Sequence, residues 1–186
     1  MSRTCVFLDG GYFQKVLEKD FDRPKLDFGK IGPYLAKTFE PYLRAYYYNC
    51  LPYQSAVATS LEKDRFKKAE GFIYRLRKLS NFEIRLGRLE FRGIDRTTGE
   101  PIFEQKRVDV QLAVDLLTLA FSRHIATAVV VAGDSDFIPV FQAAKDHGVR
   151  IVVAHGLKNP AHRDLVAVSD ERIVLDKPFI NEMRLP

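Results

Sequence analysis

Tryptophan is absent from the 186 residues, and cysteine appears only twice. Cys5 and Cys50 lie in separate apolar runs, so they read as buried reduced thiols and not as a disulfide framework. No Cys-x-x-Cys and no Cys/His cluster occurs, which argues against structural zinc. Glycine and proline are sparse, 11 and 9 residues, too few for a fibrous or disordered chain. No apolar run reaches the length of about 18 residues that a membrane span needs. Asp9 interrupts the first apolar run too early for a signal-peptide core. No Gly-x-Gly-x-x-Gly and no Walker lysine appears, so no nucleotide cofactor is expected. What remains is the expectation of a soluble cytoplasmic protein, folded as one domain over 1–186.

The formal charge is +5, and it is unevenly placed. Residues 61–92 hold 10 basic and 5 acidic side chains, while 93–186 hold 11 and 13. A basic stretch beside a slightly acidic remainder suggests a polyanion on one side and a cation on the other. The plain alternative for the basic stretch is a solvated helix face.

Periodicity supplies the elements. Thr4–Leu8 is a short apolar strand before an Asp-Gly-Gly turn, and Tyr12–Lys19 reads as a helix. Leu26–Phe39 has helical spacing interrupted near Gly32 and Pro33, and the aromatic-rich Leu43–Cys50 reads as a strand. Ser55–Ser80 is the longest helical pattern, with Ala56, Leu61, Phe66, Ala69, Phe72, Ile73, Leu76 and Leu79 as core candidates. Glu83–Phe91 alternates as a strand, Gly93–Glu100 reads as a hairpin tip, and Ile102–Gln105 returns from it. Then Val108–Phe121 (helix), Ala128–Ala132 (strand), Phe137–His147 (helix), Val149–Ala154 (strand), Pro160–Val168 (helix) and Arg172–Leu175 (strand) alternate. Alternation of this kind implies right-handed crossovers and a mostly parallel sheet with helices on both faces, an α/β/α sandwich.

In such sheets ligands bind beyond the carboxyl ends of the strands. Asp9 follows the first strand directly, and Asp134 and Asp136 follow the Ala128–Ala132 strand. Asp109 lies in the first turn of the helix that leads into that strand. A crossover helix runs antiparallel to the strand it feeds, so Asp109 falls on the same edge. Asp115, six residues on, is about 9 Å down the axis and about 240° around it, so it is structural or supports the site from behind. Four converging carboxylates cannot all ionise without repulsion, and a hard divalent ion, Mg²⁺ or Mn²⁺, relieves it. Taken singly, each acid also has an ordinary explanation: Asp134, Ser135 or Asp136 as a helix cap, Asp109 as a first-turn dipole partner, Asp9 as a turn residue.

At these residues the chain resembles the NYN domain family, in its LabA-like group, a branch of the PIN-like (FEN/PIN) nuclease superfamily. The resemblance rests on VFLDGGYF (6–13), KRVDVQLAVDLL (106–117), VVVAGDSDFIPVFQAAKDHGVRIVV (129–153) and DLVAVSDERIVLD (164–176). It implies a Rossmann-like sandwich, a Mg²⁺ or Mn²⁺ site on Asp9, Asp109, Asp134 and Asp136, and endoribonuclease activity. The family's first motif often reads Asp-Gly-x-Asn, whereas here the fourth place is Tyr12. Asp170 matches an Asp of the family's tail.

The expected function is metal-dependent hydrolysis of single-stranded RNA. Asp9, Asp109, Asp134 and Asp136 would serve as catalytic and metal-binding acids, with Tyr12, Asp115 and Ser135 supporting them. Lys63, Lys67, Lys68, Arg85 and Arg88 would contact phosphates, and Tyr12 or Phe137 would be available to stack on a base. The alternative is a weak or inactive RNA- or protein-binding regulator on the same fold, for which Tyr12 is the motive. A dehalogenase-type phosphatase would want Asp-x-Asp after the first strand, where this chain has Asp9-Gly10-Gly11. A homodimer is one assembly the sequence allows.

Overall fold

The structure, a computed structural model, describes residues 3–185. The chain forms β1 (Thr4–Asp9), α1 (Gly10–Phe21), α2 (Phe28–Ala36), β2 (Tyr42–Cys50), α3 (Ser60–Leu76), β3 (Phe82–Ile94) and β4 (Pro101–Lys106). It continues with α4 (Val108–Phe121), β5 (Thr127–Val131), α5 (Ile138–Asp146), β6 (Arg150–Gly156), α6 (Arg163–Val168), β7 (Glu171–Leu175) and α7 (Lys177–Met183). The seven strands make one sheet in the order β4-β3-β2-β1-β5-β6-β7. Every neighbouring pair is parallel except β3 and β4, which form an antiparallel hairpin.

The central strands are apolar on both faces, which is why they read as continuous runs. Val6, Leu8, Val129 and Val131 point into one core, closed by Phe13 and Val16 of α1, Ile31 and Leu35 of α2, and Phe179 and Ile180 of α7. Cys5, Phe7, Ala128 and Val130 point into the other, closed by Leu112 and Leu116 of α4, Phe141 of α5 and Leu165 of α6. Helices therefore cover both faces of a mixed, mostly parallel sheet. Among the described residues no helix is long and apolar enough to cross a membrane.

Three elements differ from the periodicity. The helix expected to break near Pro33 runs through it. Clash with a preceding Cβ is part of what keeps residues before proline out of helices, and Gly32 has none. A Cβ there would also meet the Tyr42 hydroxyl at 2.5 Å, so the glycine serves packing as well. The long helical pattern starts only at Ser60, because Thr59 and Glu62 form a reciprocal capping box. Of its eight candidate core residues only Ile73 and Leu76 are buried, and Leu61 is 59% exposed. Finally, α7 was not anticipated, although Asp176 followed by Pro178 is an N-terminal helix signal.

From β1 the chain moves outward to β2, β3 and β4, then α4 carries it back to β5 on β1's other side. The strand order reverses between β1 and β5, so their carboxyl ends border the crevice where ligands bind in open α/β sheets.

Candidate active site

Asp9 ends β1 and caps α1: its Oδ1 accepts the Tyr12 backbone N–H at 3.1 Å. Asp134 follows β5 and caps a single 3₁₀ turn over Ser135–Phe137, its Oδ1 accepting the Asp136 N–H at 3.0 Å. Asp109 sits in the first turn of α4. That helix starts abruptly, since only Arg107 separates it from β4, and Arg107 adopts a left-handed conformation at φ 75°. These three carboxylates border one cleft of about 470 Å³, together with Tyr12, Ser135, Lys15, Gln105, Asn159 and His162. Asp136 is not among the residues bordering that cleft, but its charge still bears on Asp109.

The electrostatics follow from burial and crowding. Burial pushes the Asp9 carboxyl up from 3.8 to about 6; the Tyr12 N–H opposes this and the Asp109 charge adds to it. Asp109 is raised as well, by burial first and then by the charges of Asp134 and Asp136. Mutual repulsion of this kind marks a site that favours a cation. The donors are chiefly hard oxygens with no thiolate, which suits Mg²⁺ or Mn²⁺ rather than a soft metal. Among the described residues, however, no three His, Cys, Asp or Glu side chains close into a group that could hold an ion. The acids share a cleft without forming a finished cage.

Close backbone approach shapes the walls. A Cβ on Gly133 would lie 2.2 Å from the Tyr12 ring, and one on Gly10 would lie 2.7 Å from Asn49, Tyr47 and Tyr48 atoms. The Tyr12 hydroxyl donates to the Asn159 carbonyl oxygen at 2.7 Å, and burial pushes it up to about 12, so it stays protonated. Lys19 Nζ donates to Asn159 Oδ1 at 3.2 Å. Asp20 Oδ2 accepts the N–H groups of Leu157 and Lys158 at 2.6 and 3.0 Å. Helix α1 thus pins the loop after β6 against the cleft. Tyr12, in the family's Asn place, is committed to that latch.

The other expected residues fall elsewhere. Asp115 accepts from Tyr48 Oη at 3.0 Å and from Arg85 Nε at 2.9 Å, tying α4 to β2 and β3. Arg85 is therefore engaged in an ion pair. Lys63, Lys67 and Lys68 are exposed on α3, and Arg88 is exposed on β3. None of them borders the acidic cleft. Phe137 is 2% exposed and stacked on Phe141, so it has no face to offer a base. Asp170 accepts the Ile151 N–H at 2.8 Å and pairs with Lys145 at 2.9 Å, a structural tie of the last crossover.

Lys15, Gln105, Asn159 and His162 were not singled out from sequence. Lys15 was within reach, being three residues beyond Tyr12 on the same helical face. Asn159 and His162 follow a strand's carboxyl end, where the crevice rule points. Gln105 depends on how the hairpin folds back, which no local pattern shows.

The NYN domain family model matches residues 3–176. An uncharacterized protein of Methanocaldococcus jannaschii is 39% identical over 54 residues, covering 29% of this chain and 22% of that protein. The chain thus spans well under half of that relative. A crystal structure of a protein of unknown function from Vibrio parahaemolyticus superposes with a TM-score of 0.66 at 16% identity. It covers 99% of this chain and 96% of that one, a likeness of fold alone.

Proposed function

Because this chain belongs to the NYN domain family, and because Asp9, Asp109 and Asp134 border one cleft, we propose that it is a cytoplasmic metal-dependent endoribonuclease of the PIN-like kind. Its fold is read as the Rossmann-like sandwich of that superfamily, and its substrate as single-stranded RNA. The observation that carries the reading is the meeting of the acids at the β1/β5 crevice, with Asp9 and Asp109 both raised by burial and by neighbouring charge.

Asp9, Asp109 and Asp134 would hold Mg²⁺ or Mn²⁺, with Asp136 adding its charge from outside the cleft. The ion when bound supplies an activated water and neutralises charge on the phosphoryl oxygens. Lys15, exposed at the cleft wall, brings a positive charge to the entering phosphate. Tyr12 and Lys19 hold Asn159 in place, which fixes the part of the cleft wall that the loop after β6 supplies. Lys63, Lys67, Lys68 and Arg88 lie away from the cleft, where they would hold flanking phosphates without reading bases.

The test is cleavage of a labelled single-stranded RNA with Mn²⁺ or Mg²⁺ by the parent and by Asp134→Asn. Asn keeps the cap acceptor while removing the charge. Loss of cleavage in the variant and in EDTA is expected; equal, EDTA-insensitive cleavage by both overturns the reading. A second reading, a non-catalytic RNA-binding regulator, is favoured by one observation: Asp9 and Asp134 each give an oxygen to their own turn. Metal-independent RNA binding with no turnover under any divalent ion decides for it.

A further inference from the structure

The β3–β4 hairpin carries two aromatic rings, Phe91 and Phe103, that the site described so far does not use. Phe91 pairs with Phe103 across the ladder, and Leu89 pairs with Gln105. The Phe91 and Phe103 ring centroids are 5.9 Å apart. Tyr53, from the segment after β2, packs on both, at 6.0 Å from Phe91 and 5.2 Å from Phe103. A three-ring cluster would ordinarily sit in a core, yet Phe91 is 45% exposed and Phe103 40%.

Its placement relative to the cleft is the second observation. Side chains two apart on a strand share a face, so Gln105 and Phe103 point the same way from β4. Gln105 borders the acidic cleft beside Asp9 and Asp109. At about 3.3 Å of rise per residue, Phe103 lies roughly 7 Å farther out along that strand. The rings are thus the next feature a chain meets on leaving the acids past Gln105.

Charge is the third. Tyr53 also lines a hollow of about 270 Å³ shared with Phe66 of α3 and Arg88 of β3. Arg88 is exposed and makes no ion pair among the described residues. Phe66 is flanked on α3 by the exposed Lys63, Lys67 and Lys68. Arg88 and Phe91, three apart on β3, project from opposite faces of the hairpin, and Tyr53 touches both the rings and the hollow that Arg88 lines. Exposed rings and an unpaired cation meeting at Tyr53, on a path from an acidic cleft, match a single-stranded polynucleotide, whose bases stack while its phosphates need cations. A duplex keeps its bases stacked on one another and has no use for such rings.

We propose that Tyr53, Phe91 and Phe103 form a stacking platform for unpaired bases of an RNA strand running into the acidic cleft, with Arg88 holding a neighbouring phosphate. The proposal rests on the ribonuclease reading above and adds to it the site outside the cleft that holds the unpaired strand, with little base preference.

The experiment measures binding of a 12-nucleotide single-stranded RNA, and of its duplex, to the full chain in EDTA over a range of salt. The variants are Phe91→Leu and Phe103→Leu, which keep apolar bulk without an aromatic face, and Arg88→Gln. Phe103→Trp is added because the chain contains no tryptophan, so the introduced indole is a sole reporter. Each leucine variant is expected to weaken single-strand binding about fivefold to tenfold with an unchanged salt slope. Arg88→Gln is expected to flatten that slope by about 0.7. Phe103→Trp is expected to bind like the parent, with its emission quenched by RNA. Leucine variants that bind as the parent does, an unquenched indole, or equal affinity for the duplex overturn the platform and leave the ribonuclease reading standing. A parent that neither binds nor cleaves RNA overturns both. A parent that sediments as a dimer, with Phe103→Leu a monomer, overturns the platform by showing that a second copy covers the rings.

Discussion

Asp9→Asn removes a charge while keeping the shape and the acceptor oxygen that caps α1 through the Tyr12 N–H. The Asp9 carboxyl is raised from 3.8 to about 6 in the folded protein, by burial first and by the Asp109 charge in addition. A raised folded value means that the native state binds the proton more tightly than the unfolded chain does. The stability this contributes is complete below pH 3.8 and is lost as pH rises through about 6. Above that range the ionised carboxylate is a cost. At about 1.4 kcal/mol per pH unit the difference amounts to roughly 3 kcal/mol. Asp109 shares in the repulsion, so a gain of about 1–3 kcal/mol is expected for Asp9→Asn at pH 8. For a chain of this length that corresponds to a rise of about 3–10 °C in Tm. The assay is thermal unfolding of both proteins in EDTA from pH 4 to pH 8. The two melting curves should coincide near pH 4 and separate progressively above it. Adding Mg²⁺ or Mn²⁺ should close the gap, because an ion that binds only the folded parent stabilises it by mass action. A variant less stable than the parent at pH 8, or a gain that does not vary with pH, refutes the reasoning.

Other perturbations test the frame around the acids. Gly133→Ala places a Cβ 2.2 Å from the Tyr12 ring, and should destabilise by about 1–3 kcal/mol, read by urea unfolding. Tyr12→Phe deletes the hydroxyl that holds Asn159; it should cost about 1 kcal/mol and speed amide hydrogen exchange across 157–160. Asp115→Asn takes the charge partner from Arg85; a loss of about 1–3 kcal/mol in stability is expected, with RNA cleavage per folded molecule retained. Collapse of cleavage at unchanged stability would place Asp115 in the reaction itself. Changing Lys63, Lys67 and Lys68 together to Gln should reduce the salt slope of single-strand RNA binding by about 2, with no effect on Tm beyond about 2 °C.

Much of the sheet was legible because its central strands are buried on both faces. TAVVV at 127–131 and RIVVA at 150–154 have no polar alternation to mislead. The acids' shared edge followed from the crossover rule alone, since a helix antiparallel to the strand it feeds brings Asp109 beside Asp9 and Asp134. The α3 face was misjudged for a related reason. Spacing at 55–79 marks a potential apolar stripe, but the capping box at Thr59 sets the start, and only the C-terminal half, at Ile73 and Leu76, is buried, with Leu61 uncovered. Arg85 reads as one more cation in a basic stretch, and only the fold brings it to Asp115 thirty residues away. The rings of Tyr53, Phe91 and Phe103 come from three segments, so no window of sequence shows them as a cluster.

The single residue between β4 and α4 has a mechanical consequence. With Arg107 as the only spacer, the outer strand and the opening turn of the helix share one joint, and Asp109 rides two positions past it. A left-handed residue other than glycine is costly to place, by about 1–2 kcal/mol, and it persists only where its surroundings leave it no slack. The joint is therefore stiff, and the hairpin and the helix meet at one fixed angle. The place of the Asp109 carboxylate is thereby tied to the end of the outer strand as well as to the core that α4 packs on.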